Sequence, residues 1–401
     1  MVKENIMKQT EIGLLPEDWE VRKLGELGEV KMCKRIFQHQ TSEFGDIPFF
    51  KIGTFGKEPD AFITRKLFED FKNRFSYPKK GEILISAAGT IGRTVIYNGE
   101  ESYFQDSNIV WIENKEQIIS NELLKYILEE IKYNTEGGTI QRLYNSILKN
   151  TKFICPPLPE QEAIAEALSD ADTWIESLEQ LIAKKRLIKQ GAMQELLSPK
   201  EDWEVRKLGE MTQLITKGTT PTSVGFEFTE SGINFIKVES LTKNGTIEND
   251  KVAFISERCN DVLSRSQIKD GDILFSIAGA LGRVAIVKSE IVPANTNQAL
   301  GIITLKENTI DKHYLYYFFN KNDFQQMLNT ISVTGAQPNL SLQNLNEFEI
   351  IFPSLDEQTR IATILSDMDA ELEALEGQLG KARKVKQGMM QELLTGRVRL
   401  V

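Results

Sequence analysis

EQEAIAEALSDADTWIESLEQLIAKKRLIKQGAMQELLS, residues 160–198, returns as EQTRIATILSDMDAELEALEGQLGKARKVKQGMMQELLT at residues 357–395. The copies align without a gap: Gln358 lies 197 positions after Gln161, and Gln391 lies 197 after Gln194. A register held over that length points to one rigid element used twice. Its apolar residues alternate steps of four and three: Ile164, Leu168, Ala171, Ile175, Leu178 and Ile182, then Ile361, Leu365, Met368, Leu372, Leu375, Leu379 and Ala382. This is a heptad seam, and a heptad seam demands a partner helix. Each copy follows a proline-containing stop, PPLPEQ at 156–161 and PSLDEQ at 353–358, which suits a helix start. Each helix would span roughly 55–60 Å. The spacing predicts that the two pair with each other; the competing arrangement packs each on its own domain.

Outward from the helices the chain repeats again. EDWEVRKLGE at 17–26 recurs at 201–210, IPFFKIGTF at 47–55 aligns with INFIKVESL at 233–241, and GEILISAAGTIGRTVI at 81–96 aligns with GDILFSIAGALGRVAI at 271–286. The offset drifts from 184 to 186 to 190, and such small insertions belong in loops. An internal repeat fixes the architecture: globular unit, long helix, globular unit, long helix. Strands are expected at 49–52, 82–86, 94–97 and 153–155, and at 235–238, 272–276, 284–287 and 348–352, with helices at 122–131 and 314–319. The fold class is α+β, with two similar mixed units separated by two long helices forming an antiparallel coiled coil.

The net charge is −10 over 401 residues, which looks wrong for a nucleic-acid binder. The acid is spread through the chain, however, and local basic clusters exist, such as Arg65, Lys66, Lys72, Arg74, Lys79 and Lys80. Net charge constrains non-specific affinity more than it constrains a local groove. No run is apolar enough to cross a bilayer, and the first residues lack the core of a signal peptide. Cys33, Cys155 and Cys259 form neither a disulfide framework nor a zinc pattern. A cytoplasmic location and no membrane partner are expected.

Three loop pairs carry candidate chemistry. AGTIGR at 88–93 and AGALGR at 278–283 place Arg93 and Arg283 after a Gly-x-x-Gly turn; such a turn could approach a phosphate, or could be a tight hairpin needing positive φ. The loop with Lys217, Thr219 and Thr220 is opposed by one with Lys34 and Arg35, and these residue types suit phosphate and base-edge contacts as well as solvated loops. Gln337, in TGAQPN, opposes the segment ending in Gln141 and Arg142; amide and guanidinium side chains read adenine and guanine edges. Lys51, Thr54, Arg74 and Lys237 complete the candidate DNA-binding set. His39 and His313 lack companions at ligand spacing, so no metal site is expected. The acidic pairs Asp170/Asp172 and Asp367/Asp369 read as solvated helix faces. No catalytic triad, P-loop, nuclease-like carboxylate cluster or methyltransferase motif occurs, so no catalytic residue is assigned.

The duplicated DWE-x-x-x-LGE openings, the strand pairs ending in GTIGR and GALGR, the PPLPEQEAIAEAL and PSLDEQTRIATIL junctions, and the KQGAMQELL and KQGMMQELL helix ends occur in one order over nearly the whole chain. In this the chain resembles the specificity subunit of type I restriction–modification enzymes. The resemblance implies target-recognition domains at 1–155 and 200–352, with spacer helices at 156–199 and 353–401. It implies a non-catalytic subunit that reads a bipartite, asymmetric double-stranded DNA site. The paired helices would set the half-site spacing and dock two modification subunits, which restriction subunits join. S-adenosylmethionine, ATP and Mg are then expected on the partners, with no cofactor in this chain. The competing functions are a coiled-coil protein-interaction scaffold, which would bind without DNA, and a stand-alone nuclease or methyltransferase, which would turn over alone. If the helices are a ruler, inserting four residues near Lys184, about one turn or roughly 6 Å, lengthens the unspecified gap and leaves both half-sites intact; an unchanged gap in the methylated motif would sink the idea.

Overall fold

The computed structural model describes residues 6–133, 142–242, 244–333 and 339–400. Two helices of 39 residues dominate, Leu158–Leu196 and Leu355–Leu393. Both begin at the proline stops. Pro157 O accepts the N–H groups of Glu160 and Gln161 at 3.0 Å each. Gln161 is buried, and its Nε2 donates to Pro156 O at 2.8 Å and Ile118 O at 2.9 Å while Oε1 accepts Ser120 N–H at 3.1 Å. Gln358 repeats this with Pro353 O and Asp311 N–H, both at 2.8 Å. The recurring glutamine is therefore a clip between the helix start and the residues that open the globular helices Asn121–Glu130 and Lys312–Asn320.

The chain divides into two compact units, Met1–Leu178 with Gln378–Val401, and Glu179–Gly377. The division falls inside both long helices, so each unit contains its own helix pair. In unit 1 the sheet order is Val30–Lys31, Ile109–Ile112, Ile83–Ser86, Thr94–Ile96; in unit 2 it is Thr212–Lys217, Leu300–Leu305, Ile273–Ser276, Val284–Ile286. Each neighbouring pair in these sheets is antiparallel. Beside each lies a sheet with a parallel pair, Ile47–Phe50 with Tyr103–Phe104 and Ile233–Ile236 with Ala294–Thr296. The opening motif pairs with the last strand: Glu20–Lys23 with Lys152–Cys155, and Glu204–Lys207 with Glu349–Phe352. The expected strands are present within one to two residues, and the expected helices are Asn121–Glu130 and Lys312–Asn320.

The seam residues do not all serve one purpose. Ile164 and Leu168 enter the unit 1 core with Trp19, Leu123 and Ile127 and also meet Met390 and Leu393. Ile361 and Leu365 enter the unit 2 core with Trp203, Tyr314 and Leu197. These four lie in clusters that also hold residues of the sheet, of the globular helices and of the opposing long helix's end. Leu178 and Ile182 are buried, whereas Ile175, Leu372, Leu375 and Leu379 are half-buried. Within each unit the contacts run antiparallel: Asp172 meets Lys386 in unit 1, and Lys185 meets Glu371 and Arg186 meets Glu376, both at 2.6 Å, in unit 2.

Asp172 and Asp369 correct the solvated-face reading. Asp172 Oδ2 accepts Tyr126 Oη at 2.7 Å and Lys125 Nζ at 3.1 Å, and Oδ1 accepts Lys386 Nζ at 2.6 Å. Asp369 accepts Tyr317 Oη at 2.7 Å and is ion-paired to Lys189. Lys386 and Lys189 also lie over the same tyrosine rings, at 5.3 and 5.5 Å. Helical phase explains the error: a residue four beyond Leu168 or Leu365 lies on the same stripe, so Asp172 and Asp369 stay close to the core, while Asp170 and Asp367 are exposed. Unit 1 has a further clasp. Glu160, fully buried, accepts Trp19 Nε1 at 2.8 Å and Arg399 at 2.6 and 2.7 Å, and Arg399 also reaches Asp18.

Burial pushes the Asp172 carboxyl upward, but its hydrogen bonds with Lys386, Tyr126 and Lys125 outweigh burial and hold it below the usual aspartate range. A depressed carboxyl stabilises above its unfolded pKa of about 3.9 and loses that contribution as pH falls through the lower folded value. Asp172→Asn is expected to cost about 1–3 kcal/mol at neutral pH and to flatten the loss of stability below about pH 4; Asp170→Asn, at an exposed position, leaves stability at pH 7 within about 0.5 kcal/mol. Chemical denaturation of both variants at pH 7 and pH 3.5 checks this.

Candidate nucleic-acid interface

The candidate residues of unit 1 converge on one rim. Lys34 and Arg35 follow the edge strand Val30–Lys31, and both side chains are exposed. Lys34 N–H donates to Tyr103 Oη at 3.1 Å, and Lys34 Nζ lies 5.1 Å from the Phe75 ring. Arg74 caps the same ring at 5.4 Å while pairing with Asp70 at 3.1 Å. Lys51 and Thr54 form the turn after Ile47–Phe50: Lys51 N–H donates to Thr54 Oγ1 at 3.1 Å, and Lys51 Nζ pairs with Asp60 at 2.8 Å. The next residue, Ile52, donates its N–H to Gln105 Oε1 at 2.8 Å. The segment Gln105–Asn108 is thus the floor of the rim, and Ser107 within it holds a left-handed φ of 52°.

Unit 2 repeats this layout. Lys217, Thr219 and Thr220 end and follow the edge strand, and Thr219 N–H donates to Thr296 O at 3.1 Å. Gly218 packs so closely there that an added Cβ would lie 1.9 Å from Thr296 O, so only glycine permits the approach. Lys237 Nζ lies 4.5 Å from the Phe228 ring and 4.0 Å from Glu239. Gln337 lies outside the described residues.

The Gly-x-x-Gly-Arg loops are tight hairpins. Gly92 (φ 80°) and Gly282 (φ 76°) donate their N–H to Ser86 O and Ser276 O at 2.9 and 3.0 Å. The Ser86 and Ser276 hydroxyls accept the N–H of Arg93 and Arg283 at 2.8 and 2.7 Å. The guanidiniums turn to carbonyls of the neighbouring loop: Arg93 Nη1 to Phe55 O at 2.9 Å, and Arg283 Nη1 to Val238 O and Leu241 O at 3.3 Å each. In both repeats the arginine fixes the loop that follows the parallel strand, and both side chains are half-buried.

Sequence reasoning passed over Asp106 and Gln298, which close each rim, and Arg265, whose Nη2 reaches Thr219 Oγ1 at 3.4 Å. The signal was available only through strand register, because these residues fall where the repeat offset changes. Among the described residues no group of three His, Cys, Asp or Glu could hold a metal, and no helix is long and apolar enough to cross a membrane. Burial pushes the Cys33 thiol up to about 12, so it is an inert core group.

Two like modules, each a small sheet carrying a polar rim of loops and each clasped to a helix pair, define a duplicated recognition protein. The type I restriction modification DNA specificity domain matches this chain twice, at residues 16–185 and 200–381, and the chain belongs to that family. It is 27% identical over 423 residues to the type I restriction enzyme MjaVIII specificity subunit of Methanocaldococcus jannaschii, covering 99% of this chain and 97% of that one. A protein of Haemophilus influenzae provisionally named as a type I restriction enzyme specificity subunit is 57% identical over 159 residues, 39% of this chain and 41% of its own length. The crystal structure of a type I restriction-modification system S subunit from M. genitalium shares the fold, with a TM-score of 0.60 at 17% identity and 98% coverage of both chains.

The loop-fixing role of the two hairpin arginines has a measurable cost. Arg93→Met removes one hydrogen bond to a carbonyl and Arg283→Met removes two longer ones sharing a single nitrogen, in each case worth about 1–2 kcal/mol, which for a unit of this size lowers Tm by roughly 2–8 °C. Calorimetry of each variant checks this, and an unchanged Tm would free these side chains for another role.

Proposed function

We propose that this chain is the sequence-specific DNA-binding subunit of a type I restriction–modification complex. The observation that carries this is the duplication: family membership across both halves coincides with two loop rims built on the same sheet order. Two similar modules suit a duplex with two half-sites, because half-site spacing follows protein geometry. The rims offer exposed Lys34 and Arg35 in unit 1 and exposed Lys217, Arg265 and Gln298 in unit 2, beside half-buried threonines, the residue types that contact phosphates and base edges in the major groove. The two rims differ in sequence while their scaffolds agree, which fits a bipartite, asymmetric site. The long helices act as the spacer and as a docking face for two modification subunits, with restriction subunits joining them in the cytoplasm.

The chain contributes recognition and no catalysis in this reading. S-adenosylmethionine, ATP and Mg belong to the partner subunits. The net charge of −10 makes affinity of the lone chain for non-specific DNA weak, so basic partner surfaces supply part of the attraction.

Single-molecule sequencing of genomic DNA, scored for N6-methyladenine with and without this gene, tests the proposal. Deletion is expected to erase one split, asymmetric methylated motif. No change in any motif, in cells where a methyltransferase subunit co-purifies with the chain, overturns it.

A further inference from the structure

In each unit one side-chain pair bridges the loop after the edge strand and the turn after the second strand of the parallel pair, Tyr103–Phe104 or Ala294–Thr296. In unit 1, Arg35 Nε donates to Asp106 Oδ2 at 2.8 Å. In unit 2, Thr220 Oγ1 donates to Gln298 Oε1 at 2.5 Å. Strand register makes the two pairs equivalent. Lys31 stands opposite Trp111 and Thr216 opposite Ile302, and these two face Leu84 and Leu274, which the GEIL and GDIL repeats align. Arg35 and Thr220 are each four residues beyond. On the other side, Tyr103 stands opposite Phe49 and Asn295 opposite Phe235, and Asp106 and Gln298 are each three residues beyond. The same bridge is thus charged in one unit and neutral in the other.

A neighbouring position changes in the same sense. Ala88 bridges Arg142 and Ala278 bridges Asn339. Arg142 Nη2 donates to Asn108 Oδ1 at 3.2 Å, so two guanidiniums lie on the turn Gln105–Asn108. Their unit 2 counterparts are a hydroxyl and an exposed amide. Arg265 flanks the unit 2 pair without forming it.

The chemistry of the bridge suits bases better than phosphates. Asp106 is 17% exposed and Arg35 59%, so the carboxylate anchors the guanidinium from beneath and leaves its outer edge free. A carboxylate at that distance would repel a phosphate, whereas an oriented guanidinium matches the O6 and N7 acceptors of guanine. A glutamine amide, held by a threonine hydroxyl, matches the donor and acceptor of adenine.

Resting on the DNA-binding reading above, the geometry points to this bridge as a base-reading pair whose chemistry distinguishes the half-sites. Arg35, positioned by Asp106, reads a guanine in the half-site of unit 1. Gln298, positioned by Thr220, reads an adenine at the corresponding place in the half-site of unit 2.

The test uses the full chain with its modification subunits, mapping N6-methyladenine in cells that carry wild type, Arg35→Met, Asp106→Asn or Gln298→Ala. Arg35→Met is expected to lose about 10- to 100-fold discrimination at one guanine of one half-site. Asp106→Asn relaxes the same base pair by less, and Gln298→Ala relaxes one adenine in the other half-site. The untouched half-site reports that each variant is folded. For the wild-type complex, 7-deazaguanine at the assigned position should weaken duplex binding, and it should have no further effect on Arg35→Met. A wild-type motif that survives unchanged in Arg35→Met, a uniform fall in methylation with the motif intact, or 7-deazaguanine tolerated at every guanine of that half-site overturns the assignment alone. The absence of any split motif from the wild-type complex sinks the DNA-binding reading and this assignment with it.

Discussion

A carboxylate shared by a tyrosine of the globular part and a lysine of the opposing helix recurs in both units and holds the architecture together. Asp172 meets Tyr126 and Lys386; Asp369 meets Tyr317 and Lys189. Each contact joins three segments distant in sequence, and each lysine lies over the tyrosine ring it serves. A half-buried charge of this kind adds less net stability than its hydrogen bonds suggest, because desolvation opposes them. Its value is directional: a one-residue slip of either helix would strand the carboxylate, so the junction fixes which turn of one helix faces which turn of the other. The apolar residues beside it, Ile164 and Leu168 or Ile361 and Leu365, supply burial without that discrimination.

The helices and the duplicated plan were legible in the sequence because both rest on local period and on copied text. Helix starts and strand positions followed from the same rules, whereas the order of strands within each sheet did not, and the Gly-x-x-Gly turns stayed open between a hairpin and a phosphate contact. One member of each acidic pair was misread because charge alone suggested solvent: helical phase placed Asp172 and Asp369 on the core stripe and left Asp170 and Asp367 exposed. The rim was only half legible. Lys34, Arg35, Thr219 and Thr220 stood out by composition, but Asp106 and Gln298 sit in turns whose lengths differ, four residues between Phe104 and Ile109 against three between Thr296 and Leu300. Their equivalence exists in strand pairing and in no stretch of matching letters.

The repeated scaffold with divergent rims also explains how an acidic chain can carry recognition. Arg93, Arg283, Lys51 and Arg74 spend their charge on carbonyls, carboxylates and ring faces inside the unit. These bonds stiffen the loops, and stiff loops lose less entropy when a ligand is bound. These four cations are thereby less available for indiscriminate attraction than their number in the sequence suggests.

The division of the chain into compact units has a consequence for its synthesis. Unit 2 is one continuous stretch, Glu179–Gly377, whereas unit 1 is completed only by the segment from Gln378 onward. On the ribosome the second recognition unit therefore has all of its residues before the first does. Until the segment from Gln378 onward is made, Ile164 and Leu168 lack Met390 and Leu393, Asp172 lacks Lys386, and the buried Glu160 lacks Arg399. At ordinary elongation rates that interval lasts on the order of tens of seconds. During it the nascent chain carries an apolar helix face and an unpaired acid that the finished protein hides, so the half made first is the half most in need of protection.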